Sequence, residues 1–190
     1  MAKGKCATGK ISNPAALFAA ASIGSTYTSL RLSPASSLKQ GRRKVTATVT
    51  YASGVTVRAT CDFDVDDEEA PTISLVTKSV GGACAWPRPG KAAACFLPKE
   101  LVKVTDNCRP LPAPVFVGCE VTSNGAASDC YREAGKVCIK YPAANAAEPR
   151  VARVTFVAED GTGNASPETP VILTAYGAKP GSAALGCRPK

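Results

Sequence analysis

The sequence contains no histidine, one methionine and one tryptophan among its 190 residues. Histidine is the usual general base and the commonest metal ligand, so its absence removes both kinds of site. No two cysteines have the C-x-x-C spacing of zinc and thiol redox motifs. No P-loop, dinucleotide-binding or nucleophile-elbow motif is present, and no apolar run is long enough for a membrane-spanning helix. The sequence therefore predicts a protein that is not an enzyme, has no organic cofactor and does not insert into a membrane.

The net charge of the chain is +8, and its nearest approach to a basic cluster lies just before a predicted strand. No aromatic residues are interleaved with these basic residues. The cluster could bind polyanions such as nucleic acid or acidic glycan, or it could be a solvated turn that keeps the protein soluble. We favour the solvated turn and expect no nucleic acid partner. The cluster comprises Lys39, Arg42, Arg43 and Lys44.

Nine cysteines predict disulfide bonds and therefore a compartment more oxidising than the cytosol. We expect an extracellular or cell-surface protein that passes through the secretory pathway. A bond between Cys6 and Cys61 would tie the first part of the chain, and Cys187 would fasten the tail to the second part. The odd total leaves one cysteine for a free thiol, a bond to another molecule or a missing neighbour. All nine are disulfide candidates: Cys6, Cys61, Cys84, Cys95, Cys108, Cys119, Cys130, Cys138 and Cys187.

The stretch from Cys61 to Ile73 shows how the chain is organised. Its first half alternates apolar residues with aspartates, as a strand does when one face lies on a core. An acidic run and the Ala70-Pro71 step end this strand, and a new apolar segment follows at once. We interpret the stretch as the joint between two β modules. Alternation and turn signals predict strands over residues 27–32, 44–51, 55–65, 73–76, 101–104, 115–117, 137–139, 151–158 and 171–175.

Many short strands separated by turn signals predict an antiparallel β-sandwich. The hairpin around residues 49–54 resembles the one around residues 154–161, at an interval close to the length of one immunoglobulin-like module. We therefore predict an all-β fold with immunoglobulin-like modules in tandem: a partial module over residues 1–67, a second over 68–178, and a C-terminal tail over 179–190. The first module has too few predicted strands for a closed sandwich. Either the chain belongs to a longer array, or a neighbouring molecule donates strands.

Four segments resemble parts of hyalin-repeat modules. Residues 45–54 and 60–73 are similar to the end of one such module running into the next, and residues 154–164 are similar to its last hairpin. The sequence Val104-Thr105-Asp106-Asn107-Cys108 resembles the V-T-D-N-C motif in the middle of the module. The resemblance implies an immunoglobulin-like β-sandwich in a secreted or cell-surface protein used for adhesion and architecture, with no catalytic residues to carry over. The additional cysteines between Cys84 and Cys138 depart from the family pattern.

Three further features point to binding or modification. Asp66, Asp67 and Glu68 lie at the joint, where bound calcium would stiffen an array, but we favour an exposed acidic linker. Asn164 begins an Asn-x-Ser acceptor for N-glycosylation at a predicted hairpin tip. Trp86 lies among prolines and is either a stacking platform for sugar or peptide or, as we favour, a packing residue beside the cysteines.

These observations favour a non-catalytic structural module of an extracellular or cell-surface glycoprotein. It would make protein–protein contacts in a filament, matrix or adhesive array, with copies of itself or neighbouring modules as partners. The alternative is a secreted adhesion or lectin-like module that recognises a glycan or receptor through the loops around Trp86 and residues 110–114. A third interpretation is a small secreted inhibitor or effector with a cysteine-stapled loop.

Overall fold

A computed structural model of the chain describes residues 27–34, 38–76, 82–179 and 188–189. More than half of these residues lie in β-strands, and the helical elements among them are one four-residue helix and one 3-10 turn. The predicted all-β class is therefore confirmed. Contacts within the chain define two units. The described part of unit 1 is residues 27–34, 38–69 and Asn107–Pro110, and that of unit 2 is residues 70–76, 82–106, 111–179 and 188–189.

The described part of unit 1 contains three antiparallel strands. Strand β1 spans Tyr27–Ser33, β2 spans Gly41–Tyr51 and β3 spans Thr56–Val65, and they form a sheet in the order β1-β2-β3. A tight turn joins β2 to β3. In this turn the Tyr51 N–H donates to the Val55 oxygen at 3.0 Å, and Gly54 has a φ of 81°, which glycine adopts without steric cost. The hairpin predicted from the alternation of residues 44–65 is therefore present.

The two faces of this sheet differ in polarity because valine or alanine alternates with threonine along β2. Val45, Ala47 and Val49 are buried, whereas the threonines between them point to the opposite face. On that face the hydroxyls of Thr46 and Thr60 hydrogen-bond across the strands at 2.9 Å. The core of unit 1 consists of Leu32, Leu38, Val45, Ala47, Val49 and Val65.

Unit 2 contains ten strands in its described part. They are β4 (Thr72–Leu75), β5 (Ala83–Ala85), β6 (Ala93–Phe96), β7 (Val102–Thr105), β8 (Val115–Ser123), β9 (Cys130–Glu133), β10 (Lys136–Lys140), β11 (Arg150–Val157), β12 (Thr169–Ala175) and β13 (Arg188–Pro189). Helix α1 spans Pro98–Leu101, and the 3-10 turn spans Ala127–Asp129. The strands form a five-stranded sheet in the order β13-β5-β12-β11-β8, a three-stranded sheet in the order β6-β10-β9, and the pair β4-β7.

The direction of one strand and the beginning of another differ from the sequence prediction. Strand β5 runs parallel to β12 and to β13, so the fold is not purely antiparallel. Leu101 ends helix α1 instead of beginning a strand. The cause is local: Pro98 favours the first turn of a helix, and the Leu97 N–H donates to the Glu100 carboxylate at 2.8 Å. No helix in the described part of the chain is long and apolar enough to cross a membrane.

The core of unit 2 receives buried side chains from all three of its sheets. Along β11, Ala152, Val154 and Phe156 are fully buried while Arg153 is exposed, which is the period of two that a strand requires. The Phe156 ring meets that of Phe116 edge to face, with centroids 6.4 Å apart. Because these residues belong to strands that are distant in sequence, the core depends on long-range strand pairing.

Disulfide bonds staple unit 2. Cys95 of β6 is joined to Cys138 of β10, and Cys119 of β8 is joined to Cys130 of β9. Cys84 of unit 2 is disulfide-bonded as well, and so is Cys108, which belongs to unit 1. These bonds are compatible with an oxidising, extracellular environment.

Cys61 has a free thiol. The expected Cys6–Cys61 bond is therefore wrong. Cys61 lies opposite Val45 in the β2–β3 pair, so its cross-strand neighbour there is an apolar side chain. Cys6 and Cys187 lie outside the described residues.

Arg150 links four segments of unit 2. Its guanidinium donates to the Asn124 oxygen at 2.8 Å and to the Lys140 oxygen at 2.9 Å, and it forms a 3.1 Å ion pair with Asp129. Lys140 is also paired with Asp129, at 3.2 Å. A hydrogen bond from the Ala126 N–H holds the pKa of Asp129 below its usual value, and these two cations act in the same direction against the opposing effect of burial. Arg150 therefore ties β11 to the segments around β8, β9 and β10.

Candidate functional site

A groove of about 640 Å³ in unit 2 is the candidate functional site. Its floor is one face of the sheet β6-β10-β9. In this sheet Cys138 lies between Cys95 and Tyr131, and Lys136 lies opposite Glu133. Residues opposite each other in an antiparallel pair share a face, so all five belong to the groove side, while Val137 and Ile139 point into the core. The Cys95–Cys138 disulfide fixes the floor.

The segment that follows β5 forms a wall of the groove beside this floor. It carries Trp86 and Arg88, and it turns back at Gly90, where the Lys91 N–H donates to the Arg88 oxygen at 3.1 Å. The Tyr141 N–H donates to the Ala92 oxygen at 3.0 Å and connects this wall to the end of β10. Backbone hydrogen bonds therefore hold this wall in place and connect it to the sheet that forms the floor.

The groove combines aromatic and cationic side chains. Trp86, Tyr131 and Tyr141 are all partly buried and line it. Three cations also line it, Arg88, Lys91 and Lys136, against a single acid, Glu133, among its described lining residues. Burial raises the pKa of Tyr141, and the positive charge of Arg88 partly opposes this rise. The groove thus offers flat apolar surfaces beside a net positive charge.

The described lining residues of the groove bear on two kinds of chemistry, glycoside hydrolysis and metal binding. With one carboxylate among its described lining residues, it does not offer the pair of acids that glycoside hydrolysis requires. Cys95, Glu133 and Cys138 bring three potential metal-ligand atoms within 4.8 Å of one another. Both sulfurs are consumed in the disulfide, however, and only a thiolate binds a metal. The arrangement does not fit a metal ion.

The three acidic residues proposed as calcium ligands do not gather at one point. Asp67 is 3% exposed, whereas Asp66 and Glu68 are exposed, and the carboxylates of the three do not come within 4.8 Å of one another. The Asn107 amide instead donates to Glu69 at 2.8 Å and to Asp67 at 3.3 Å. The contact to Asn107 crosses about forty residues of sequence, so local spacing could not reveal it. Calcium binding stays a prediction, and calorimetric titration with Ca²⁺ is its test.

The glycosylation acceptor lies in a loop organised by Asp160. The Asp160 carboxylate accepts hydrogen bonds from the N–H groups of Thr162 and Asn164, at 2.8 and 2.9 Å, and from the Asn164 side-chain amide at 2.8 Å. Ser166 is buried, and its hydroxyl accepts from the Ala158 N–H at 3.0 Å. The acceptor residues therefore form part of the folded loop. Glycosylation at Asn164 stays a prediction.

The Asp160 loop should weaken in acid. Burial alone would raise the pKa of Asp160, but the hydrogen bonds from Asn164 and Thr162 lower it to about 2. Because the pKa of Asp160 is lower in the folded chain than in the unfolded chain, its ionised carboxylate stabilises the fold at pH values above 3.8. This stabilisation is lost as the pH falls from 3.8 through about 2. We expect Asp160→Asn to lower the free energy of unfolding by about 1 kcal/mol at pH 7. The difference from the native chain should shrink between pH 3.8 and pH 2 in urea titrations. A difference independent of pH would contradict this role.

The basic cluster and the proline-rich segment lie outside the groove. Arg42 is paired with Asp62 at 3.1 Å, and the Arg43 guanidinium donates to the backbone oxygens of Lys39 and Gln40. These contacts occupy two of the four cluster residues at the beginning of β2. Residues 110–114 are not among those that line the groove. Of the sequence-based candidates for ligand contact, the structure brings Trp86 to the groove.

Comparison with known proteins adds no family: no protein-family model matches the chain, and no curated protein matches it.

Proposed function

We propose that the protein is a non-catalytic, extracellular binding module of immunoglobulin-like, hyalin-repeat type, and that its groove binds a negatively charged glycan. The observation that carries the proposal is the combination of Trp86, Tyr131 and Tyr141 with three cations in one open groove. Aromatic rings offer flat apolar surfaces on which a sugar ring can stack. The cations favour a ligand with sulfate or carboxylate groups.

Two further observations support this function. The disulfide bonds fit a secreted or cell-surface location, where such glycans occur. The groove floor is a sheet face fixed by the Cys95–Cys138 bond, and its opposite wall is held by backbone hydrogen bonds. A site held in this way loses little conformational freedom on binding, which favours affinity.

Replacing Trp86 with alanine should weaken glycan binding. Removing a central aromatic contact typically costs at least 1–2 kcal/mol, so we expect affinity for a sulfated oligosaccharide to fall about tenfold or more. Lys136→Glu should weaken binding too, and both effects should be measured by calorimetry at low salt, because salt screens the cations. Tyr27→Ala is the matched control, since Tyr27 is an exposed aromatic residue of unit 1. Binding that is equal for the native chain and Trp86→Ala would contradict the proposal, as would equal affinity for the uncharged oligosaccharide.

A role in assembly is the second candidate function, and one observation favours it. Val55 and Val57, at the free edge of the unit 1 sheet, are 57% and 49% exposed. Val57 lies beside Val49 in the sheet, and Val49 is only 7% exposed. The apolar face of this sheet is therefore left uncovered along one edge, as a structural module that contacts a neighbour would require.

A further inference from the structure

Strand β3 lies at one edge of the described sheet of unit 1, and its apolar side is incompletely covered. Among the described strands, β3 pairs only with β2. Ala59 is exposed although Ala47, opposite it on β2, is buried, and the same contrast holds for Val57 opposite Val49. A long edge strand with exposed apolar residues is a template for pairing with another strand.

The hairpin geometry determines which backbone groups of β3 face this edge. The Tyr51 N–H donates to the Val55 oxygen, so these two residues form a hydrogen-bonded pair. Hydrogen-bonded and non-hydrogen-bonded pairs alternate along an antiparallel ladder, so Val57, Ala59 and Cys61 also direct their backbone groups towards β2. The even-numbered residues from Thr56 to Asp64 direct their N–H and C=O groups outward. A further strand can therefore bond to them.

We propose that a second copy of this chain occupies the edge, with its β3 antiparallel to the first and a two-fold axis between the two Cys61 residues. This register places Arg58 opposite Asp64 of the second copy. The two-fold symmetry forms this Arg58–Asp64 pair twice in the dimer. Both residues are exposed, and they lie on the same face of the sheet. Opposite charges across an antiparallel pair stabilise it.

The same register matches the apolar residues. On the other face, Val57 meets Val65 of the second copy, and Ala59 meets Phe63. A shift by one residue would set this apolar face against the charged one. A shift by two residues in one direction would bring Arg58 opposite Asp62, which is already paired with Arg42 at 3.1 Å. In the other direction it would bring Arg58 opposite Asp66, which lies beyond the end of β3. Charge complementarity therefore selects the register centred on Cys61.

The free thiol of Cys61 reports on this register. Because the odd-numbered residues bond towards β2, Cys61 and its copy form a non-hydrogen-bonded pair, in which the Cα atoms are about 4.5 Å apart. That distance lies within the range that a disulfide spans. Exchange with oxidised glutathione would then join the two sulfurs and release two molecules of reduced glutathione. The Cys95–Cys138 bond of unit 2 already links opposite residues of adjacent strands in this way.

Charge-swap variants of the full chain test the proposal. We expect the native protein to dimerise with increasing concentration under reducing conditions, as measured by sedimentation equilibrium. Arg58→Asp and Asp64→Arg should each weaken dimerisation at least tenfold, and the double variant should restore it. Arg31→Asp, at the opposite edge of the sheet, is the matched control and should have no effect. Far-ultraviolet circular dichroism checks that each variant folds.

Disulfide cross-linking gives the second readout. With oxidised glutathione, the native chain and the double variant should form a Cys61–Cys61 dimer, identified by peptide mass, and Arg58→Asp should form at least tenfold less. Cys61→Ser should dimerise without the covalent bond. A native protein that stays monomeric up to millimolar concentration would overturn the proposal. So would equal cross-linking of native and Arg58→Asp proteins, or rescue of Arg58→Asp by Asp62→Arg in place of Asp64→Arg. None of these variants alters the groove of unit 2, so the glycan-binding proposal stands or falls separately.

Discussion

Arg150→Ala should lower the free energy of unfolding by about 3 kcal/mol, because it removes one member of a largely buried ion pair. The Arg150 side chain is 13% exposed and that of Asp129 is 15% exposed. Truncation would leave the Asp129 carboxylate with a weaker set of partners. It would also remove a hydrogen bond to the exposed Asn124 oxygen and one to the part-buried Lys140 oxygen, and the loss of a partner at a partly buried polar group adds to the cost.

Arg42→Ala is the control for this prediction. Arg42 and Asp62 are also 3.1 Å apart, but their side chains are 73% and 39% exposed. Exposed pairs typically contribute less than about 1 kcal/mol, so this variant should be nearly as stable as the native chain. Chemical denaturation of both variants provides the comparison. Equal losses for the two would show that Arg150 does not act through its buried contacts.

Gly82→Ala should destabilise unit 2 by more than about 4 kcal/mol or prevent its folding. Gly82 precedes β5 and has a φ of 71°, a conformation that residues with a side chain rarely adopt. An added Cβ would lie 1.9 Å from the Ile172 backbone oxygen on β12. Since backbone cannot rotate away as a side chain does, β5 would have to move from its partner strand.

Gly90→Ala separates steric overlap from backbone strain. Gly90 has a nearly identical φ of 70°, but no atom lies within 4 Å of the position of an added Cβ. We therefore expect this variant to lose only about 1–2 kcal/mol, the cost of the left-handed conformation. Thermal unfolding of the two variants measures the difference. If both lose the same amount, the close approach of β5 to β12 is not the cause.

The sequence predicted the parts of the fold in which local alternation is strong. Threonine and valine alternate along β2, and Ala152, Val154 and Phe156 place an apolar residue at every second position of β11, so both strands and their hairpins were identified. Strands β5 and β6 escaped prediction because short runs of alanine and cysteine have no alternation to detect. Their place in the structure comes from pairing with β12 and β10, which sequence periodicity does not encode.

The candidate site was predictable only in part, and for a similar reason. Trp86 was singled out because it is the only tryptophan and lies among prolines. Tyr131, Lys136 and Tyr141 reach the same groove through the pairing of β9 and β10 with β6, more than forty residues along the chain from Trp86. The proposed partner of Cys61 was wrong because disulfide connectivity depends on the folded arrangement of strands. The spacing of cysteines along the sequence does not contain that information.

The parallel pairing of β5 with β12 has a mechanical consequence. Ala83, Cys84 and Ala85 lie opposite Leu173, Thr174 and Ala175, and both strands run in the same direction. A force that draws residues 83 and 175 apart shears the two strands along each other. All the hydrogen bonds between the strands then resist the force at the same time instead of breaking one after another. The Cys95–Cys138 bond also prevents the 43-residue span that it closes from extending. Along this direction the β5–β12 pair therefore resists force as one element, and the span that the disulfide closes adds no length when the pair separates.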